Sequence, residues 1–281
     1  DNDTKNICIA LNYAPINNYT TRMKGINYAL GLRVEDSYYK GTLKNKNDSS
    51  FLYHYPSTLN NLMNAIFPSL FISKKLTEKQ EIQFNVSRKI NRPGFRQLMP
   101  FIIALDPKNY LIGNPNLTPE FITLSELNFN QYLKNGNLFF SLFYRNTQNP
   151  ITAFIQPSAV DPTILVNTSI NGKQSHTIGM DNTFKYTLFK GFEATFNMNL
   201  FYVRINANYK SVIATNEGFN YNGKLNLAYK LPKSFSLQLS GNYESPRIIP
   251  QGKTKEMYFA DFGISKDLFK FMTLTASVSD I

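Results

Sequence analysis

The side chains able to do chemistry are few and far apart. Histidine occurs only at His54 and His176, and cysteine only at Cys8. A zinc site needs three or four Cys, His or carboxylate ligands at close spacing, and no such spacing occurs. A disulfide within the chain lacks its second thiol. His54 falls in a polar stretch and His176 opens a strand pattern, so both read as structural. The acidic pairs Glu35-Asp36 and Asp1/Asp3 read as solvated strand or loop ends, not as an acid/base couple or a calcium site. No Gly-x-Ser-x-Gly, P-loop or dinucleotide fingerprint is present. The expectation is a protein that is not an enzyme, with no catalytic residue, no metal site and no cofactor.

Binding chemistry is better represented. The segment 91–119 holds Pro93, Pro100, Pro107, Pro115 and Pro119, with Gly94 and Gly113. Proline cannot donate to a strand ladder, so the segment reads as a loop rather than a regular strand. Loops this long are functional or disordered. Phe95, Leu98, Met99, Phe101, Ile102, Ile103 and Leu105 argue for order. The loop is expected to pack on itself or to fold into the mouth of a barrel. Arg88, Arg92, Arg96 and Tyr110, in and beside it, are the candidate ligand-binding residues. The other reading makes this loop a structural cap that braces the rim.

The elements that must position these residues alternate strictly in polarity. Ala194, Phe196, Met198 and Leu200 share one face; Glu193, Thr195, Asn197 and Asn199 share the other. Successive side chains of a strand point to opposite faces, so such a strand has one greasy and one wet side. The same period runs through Ile82, Phe84 and Val86, through Leu225, Leu227, Tyr229 and Leu231, and through Tyr258, Ala260, Phe262 and Ile264. About a dozen strands in antiparallel hairpin order are expected, including one near Cys8 to Tyr13.

The joints alternate between short and long. Short turns are expected near 17–22, 77–79, 134–137, 189–192, 231–234 and 269–271. The Asn135-Gly136 turn should place both residues at positive φ. Long loops are expected at about 39–61, 91–119, 146–172, 206–218 and 245–255. Within 146–172, the stretches 151–155 and 163–170 are expected to continue the flanking strands. Tyr132, Phe189, Phe192, Tyr229, Phe235, Phe269 and Phe271 gather near the short turns, as interfacial aromatics do, although tryptophan is absent. Tight turns at one rim and long loops at the other mark an all-β, antiparallel, up-and-down transmembrane β-barrel.

Composition agrees. Hydrophobic residues make up 42% and charged residues 17%, the latter below the ~25% usual for soluble domains. No run of ~18 apolar residues exists, so a membrane-spanning helix is excluded, but barrel strands need only ~9–11 residues each. The net charge of +11 comes from Lys and Arg placed singly at strand ends and turns. That suits head-group contact better than a nucleic-acid patch, and no nucleic-acid partner is expected. An electropositive lumen that draws anionic ligands is the sharper alternative. The first six residues are no export signal, so a leader is expected to have been removed or the chain to begin inside a longer one.

Several stretches resemble a known family. Ser87-Arg88-Lys89-Ile90-Asn91-Arg92-Pro93-Gly94-Phe95, Leu98-Met99-Pro100-Phe101, Asp106-Pro107 and Gly113-Asn114-Pro115-Asn116-Leu117-Thr118-Pro119-Glu120 carry the resemblance. Gly31-Leu32-Arg33-Val34-Glu35 and Ser277-Val278-Ser279-Asp280-Ile281 are similar to strands of the same family. The chain resembles the outer-membrane β-barrel family of the TonB-dependent-receptor type common in Bacteroidetes. The resemblance implies a fragment, the C-terminal part of a barrel of about 22 strands, here a single domain over 1–281 without a plug.

It further implies a bacterial outer-membrane location and uptake of a nutrient such as a metal chelate, glycan or peptide. Implied partners are outer-membrane lipid, a surface lipoprotein and, through a plug domain, an energy-coupling protein. The alternatives are a non-transport barrel (adhesin, secretion component or lipoprotein scaffold) and a soluble β-rich binding module.

Overall fold

The computed structural model describes residues 7–13, 16–23, 25–42, 51–55, 63–209, 212–269 and 271–280. Its first strands are β1 (Ile7–Tyr13), β2 (Ile16–Met23), β3 (Ile26–Val34), β4 (Asp36–Thr42) and β5 (Phe51–Tyr55). Next come β6 (Ile66–Thr77), β7 (Gln80–Asn91), the one-turn helix α1 (Phe95–Leu98), β8 (Ile102–Asp106) and β9 (Asn109–Ile112). The middle of the chain forms β10 (Glu120–Leu133), β11 (Gly136–Gln148), β12 (Ile151–Pro157), β13 (Leu165–Asn171) and β14 (Gln174–Phe189). The last third forms β15 (Phe192–Tyr209), β16 (Val212–Leu231), β17 (Phe235–Glu244), β18 (Ile248–Ile249), β19 (Gly252–Lys253), β20 (Met257–Phe269) and β21 (Met272–Val278).

One antiparallel meander of twelve strands dominates, in the order β2-β3-β6-β7-β10-β11-β14-β15-β16-β17-β20-β21. Its joints alternate as the sequence predicts. Two residues separate β6 from β7, β10 from β11, and β14 from β15 on one rim; on the other, further strands intervene at four of the five joints, and residues 210–211 alone separate β15 from β16. Among the described residues β2 and β21 are the two edges, and they are not paired to each other.

The two faces of this sheet differ completely. One row of directly paired residues reads Tyr28, Ile72, Phe84, Leu127, Leu142, Met180, Leu200 and Tyr221. The row on the opposite face reads Asn27, Ser73, Gln83, Asn128, Ser141, Asp181, Asn199, Asn222 and Glu244. Burial runs opposite to that of a water-soluble protein. Leu127 and Leu142 are 43% and 42% exposed, whereas their neighbours Asn128 and Ser141 are 6% and 3% exposed.

The polar side chains bond across strands, as cross-strand pairs in a sheet do. Asn27 Nδ2 donates to Ser73 Oγ at 3.1 Å, Thr183 Oγ1 to Asn197 Oδ1 at 2.9 Å, and Asn199 Nδ2 to Asp181. Water rewards the reverse arrangement, so the greasy face requires a hydrocarbon neighbour, and the reading as a soluble module fails on this point.

Aromatics bracket the greasy band. At the short-turn end Phe189, Phe192 and Tyr229 pack together with ring centroids 5.0–5.7 Å apart. At the other end Tyr202 meets Phe219 at 5.1 Å and Tyr221 meets Tyr243 at 5.6 Å. Just beyond Tyr202 and Phe219 the cross-strand pair Arg204–Glu217 forms an ion pair of 3.4 Å. From Phe192 to Tyr202 the strand covers about 33 Å of length, which a tilt of ~40° converts to a band about 25 Å tall.

That tilt is visible in the register. The paired row that starts at Ile26, beside the first short turn, ends at Tyr258, the second residue after a long connection. A row that climbs from one rim to the other is the stagger that a curved, closing sheet requires.

The structure corrects several expectations. Residues 17–22 are strand, not turn, because Gly25 at φ +78° makes the turn further on. Residues 206–218 are largely strand, since β15 runs to Tyr209 and β16 starts at Val212. Beyond the hydrocarbon the strand no longer divides lipid from water, since Ala207 packs against Phe154 and Ile170, so alternation there says nothing about pairing. Neither Asn135 nor Gly136 has positive φ. Glycine is needed at 136 because a Cβ there would lie 2.1 Å from the Lys185 carbonyl oxygen.

The strand near Cys8 exists but lies outside the meander, in a sheet of order β1-β4-β5. That sheet also takes in part of the expected loop 39–61; residues 43–50 and 56–62 lie outside the described residues.

Placing a charge on each face tests the assignment. Leu200→Arg should destabilise the protein in lipid vesicles by ~2–4 kcal/mol, whereas Asn226→Lys on the wet face should cost about 1 kcal/mol or less. Urea titration of vesicle-inserted protein reads both. Equal costs would mean that the two faces share one environment.

Candidate functional site: the loop rim

The long connections do not continue the wall. They leave it and join one another. After β11 the chain turns at Asn149, which has φ +53°, and Pro150 follows. Proline has no N–H to extend the ladder, so 151–157 and 165–171 do not extend β11 and β14 as expected. Instead β12, β13, β9 and β8 form a separate four-stranded sheet in that order. Within it β13 runs parallel to β9, pairing Val166 with Tyr110. The segment 91–119 is therefore ordered as expected, but it is not free of strands: β8 and β9 fit between its prolines.

Side chains fasten this rim. Asn171 clamps Thr118, accepting from its N–H at 2.7 Å and donating to its carbonyl at 2.9 Å. Asn171 also donates to the Asn149 carbonyl at 2.9 Å, and Asn114 donates to the Ser169 carbonyl at 3.0 Å. Gly113 lies so close to α1 that a Cβ would meet the Met99 oxygen at 2.2 Å. The β17–β20 connection joins through Gln251, which accepts from Ile155 N–H at 2.7 Å and donates to Ile155 C=O at 2.8 Å. Phe154, Ile170 and Ala207 form a buried cluster where the rim sheet meets β15. Asp106 closes the β8–β9 turn, and the Asn109 side chain, then the Lys108 N–H, hold its carboxyl below the ordinary range.

The four sequence candidates have different fates. Arg88 is engaged by protein groups: it donates to the carbonyls of Met63 and Ile66 and to Asn64 Oδ1, and it lies over the rings of Phe67 and Phe121. Arg92 pairs with the buried carboxylate of Glu35, which Arg33 also binds at 2.7 Å. Arg96 is exposed on α1 and has no hydrogen bond or ion pair among the described residues. Tyr110 sits in β9, where its carbonyl accepts from Asn167 Nδ2 at 3.3 Å. Sequence reasoning missed Glu35 as the hub of two arginines, because its partner Arg92 is 57 residues away.

The clamp at Asn171 should matter to the rim and not to the wall. Asn171→Ala should cost the rim sheet about 1–3 kcal/mol of local stability. Hydrogen exchange should quicken in β9 and β13 while β14–β16 stay protected. Uniform protection in the variant would remove the clamp from the account.

The Outer membrane protein beta-barrel family matches residues 12–281. No curated protein sequence matches the chain. Among solved structures, the chain is similar to a mutant (G324V) of the ferric enterobactin receptor from Pseudomonas aeruginosa, with TM-score 0.59 and 16% identity over 97% of this chain and 39% of that one. It is similar to a copper transporter, OprC, with TM-score 0.65 and 12% identity over 98% of this chain and 42% of that one. It is also similar to the ferric yersiniabactin uptake receptor of Yersinia pestis, with TM-score 0.62 and 13% identity over 98% of this chain and 41% of that one. The chain thus spans about two fifths of the length of these structures. At these identities the likeness is one of fold. Its inverted faces agree with the family match: the chain belongs to the Outer membrane protein beta-barrel family and resides in the bacterial outer membrane.

Proposed function

We propose that this chain forms the wall and outer rim of a receptor that takes up a nutrient across the outer membrane, in the TonB-dependent manner. One observation carries the reading: three long connections are tied into an ordered rim above a polar face. Loops meant only to link strands need no such fastening, and ligand-facing loops sit on a rigid scaffold. The neighbours in fold include proteins named as ferric siderophore receptors and a copper transporter, which supports a scarce metal chelate as one substrate class beside glycans and peptides. No step in this function asks the chain to act as an enzyme.

Arg96 and Tyr110 are the rim residues assigned here to ligand contact. Arg92 and Arg88 hold the rim in shape around Glu35 and the carbonyls of Met63 and Ile66. A second reading has its own support. Ile102 and Leu105 are 65% and 61% exposed on β8, an edge of the rim sheet, and Val160 is 95% exposed. Exposed apolar residues on an open edge strand suit a protein partner, and a surface lipoprotein fits that description. An energy-coupling protein would act on the receptor from the other side of the membrane.

The test is a growth assay with the nutrient withheld to limiting levels, comparing the whole protein with Arg96→Ala and with the double variant Arg96→Ala/Tyr110→Ala. The double variant should raise the nutrient concentration that supports half-maximal growth at least ~10-fold, which corresponds to about 1.4 kcal/mol or more if that concentration tracks affinity. Its barrel should still resist heat in detergent. Unchanged growth would leave the rim as a brace alone.

A further inference from the structure

The wall opens between β6 and β7. β6 and β7 pair only as far as Ser69 and Ser87, although β7 continues to Asn91. Pro68 comes next on β6 and has no N–H to offer. From there β6 stays with β3, pairing Leu32 with Pro68 and Arg33 with Phe67. The two strands part, and a cavity of about 390 Å³ opens between them.

Its floor is Gly31, Ser69 and Ser87, which lie on the same face as Asn27, Ser73 and Gln83. The wet side of the cavity, where Ser69 is exposed, is the side a soluble ligand reaches; Leu32, Arg88 and Ile90, at strand positions of the opposite face, complete the lining. Its lining carries three positive charges, on Arg33, Arg88 and Lys89, and no negative one. The Arg33 and Arg88 guanidiniums lie 5.3 and 5.8 Å from the Phe67 ring centroid, within cation–π range. Carbonyl and amide oxygens hold Arg88 in place, and it makes no ion pair among the described residues. Arg33 shares the single carboxylate of Glu35 with Arg92. The Lys89 side chain is exposed and makes no hydrogen bond or ion pair among the described residues. Another polar depression of this face is built differently, with Asp181 and Glu244 against Lys224.

We infer that the cavity between β6 and β7 binds a soluble small molecule bearing a polyvalent carboxylate or phosphate group. Arg33 and Lys89 meet the anionic oxygens, the Ser69 and Ser87 hydroxyls donate from the floor, and Arg88 supplies charge from within the gap. Guanidinium and ammonium donors to such oxygens form the stronger, charge-assisted class of hydrogen bond. The assignment does not rest on uptake, since binding is read in detergent with no membrane to cross.

Isothermal titration of the whole protein in detergent, with citrate and with inorganic pyrophosphate as probes and glucose as the neutral control, tests it. At least one anion should bind and glucose should not. Lys89→Glu should weaken that binding at least ~10-fold and Lys89→Arg should hold it within ~3-fold, because charge and not shape is read at this position. Raising the salt from low to about 0.3 M should weaken binding further. Ser69→Ala, which leaves every charge in place, should lower affinity by ~3-fold or more. Heat-resistant migration of each variant shows that the barrel is intact. Failure of both anions to bind, or equal binding by Lys89→Glu, overturns the inference. A protein that binds pyrophosphate but supports no growth in the uptake assay keeps this site and loses the transport reading.

Discussion

Hydrocarbon offers a peptide group no hydrogen-bond partner, and that constraint organises this molecule. Each N–H and C=O within the membrane must be satisfied by the next strand. A meander of tilted, mutually bonded strands is one of the few ways to do so. Once the backbone is satisfied, the side chains obey the two solvents on either side. Leu127 and Leu142 turn outward and Asn128 and Ser141 turn inward, a distribution that water alone would reverse. The aromatic clusters Phe189/Phe192/Tyr229 and Tyr202/Phe219 then fall where hydrocarbon gives way to water. The charged pair Arg204–Glu217 marks the point beyond which charge is tolerated.

Above that boundary the rules relax, and the chain uses the freedom. The rim is stitched by amides that imitate backbone: Asn171 against Thr118 and Gln251 against Ile155. Such bonds would compete with bulk water if they were isolated. Here Asn171 makes three bonds and Gln251 two, each amide both donating and accepting, which keeps the loops in one arrangement. The same economy shapes the gap above Ser69. Pro68 removes a ladder donor, and the Arg88 guanidinium answers the Ile66 carbonyl instead. A wall defect thus becomes a cationic recess beside the rim.

Much of the wall was legible in the chain because period-two alternation is a direct imprint of two solvents. Ala194 to Leu200 shows this within a few residues, and the short joints are equally plain. Where only one solvent is present, the imprint fades. Residues 203–209 and 212–218 are strands beyond the hydrocarbon, where Ala207 meets the rim residues Phe154 and Ile170 instead of an aqueous interior, so polarity alone made them resemble a loop. The polar run Asn17-Asn18 resembled a turn but belongs to the edge strand β2. The rim sheet was out of reach for a different reason: its parallel pairing of Val166 with Tyr110 joins positions far apart in sequence. No local pattern encodes that contact. Of the four candidate residues, the sequence located the correct neighbourhood but not the division of labour. That division depends on Glu35, which reaches Arg92 only through the fold.

The most direct test is to read solvent along one strand. Single nitroxide labels at positions 194 to 202 of β15, in the whole protein with Cys8→Ser, can be probed in lipid vesicles for collision with oxygen and with a water-soluble nickel reagent. Labels at 194, 196, 198, 200 and 202 should favour oxygen, and those at 195, 197, 199 and 201 should favour nickel, with a strict period of two. Flat profiles, or alternation in the opposite phase, would contradict a wall with acyl chains on one side and an aqueous interior on the other.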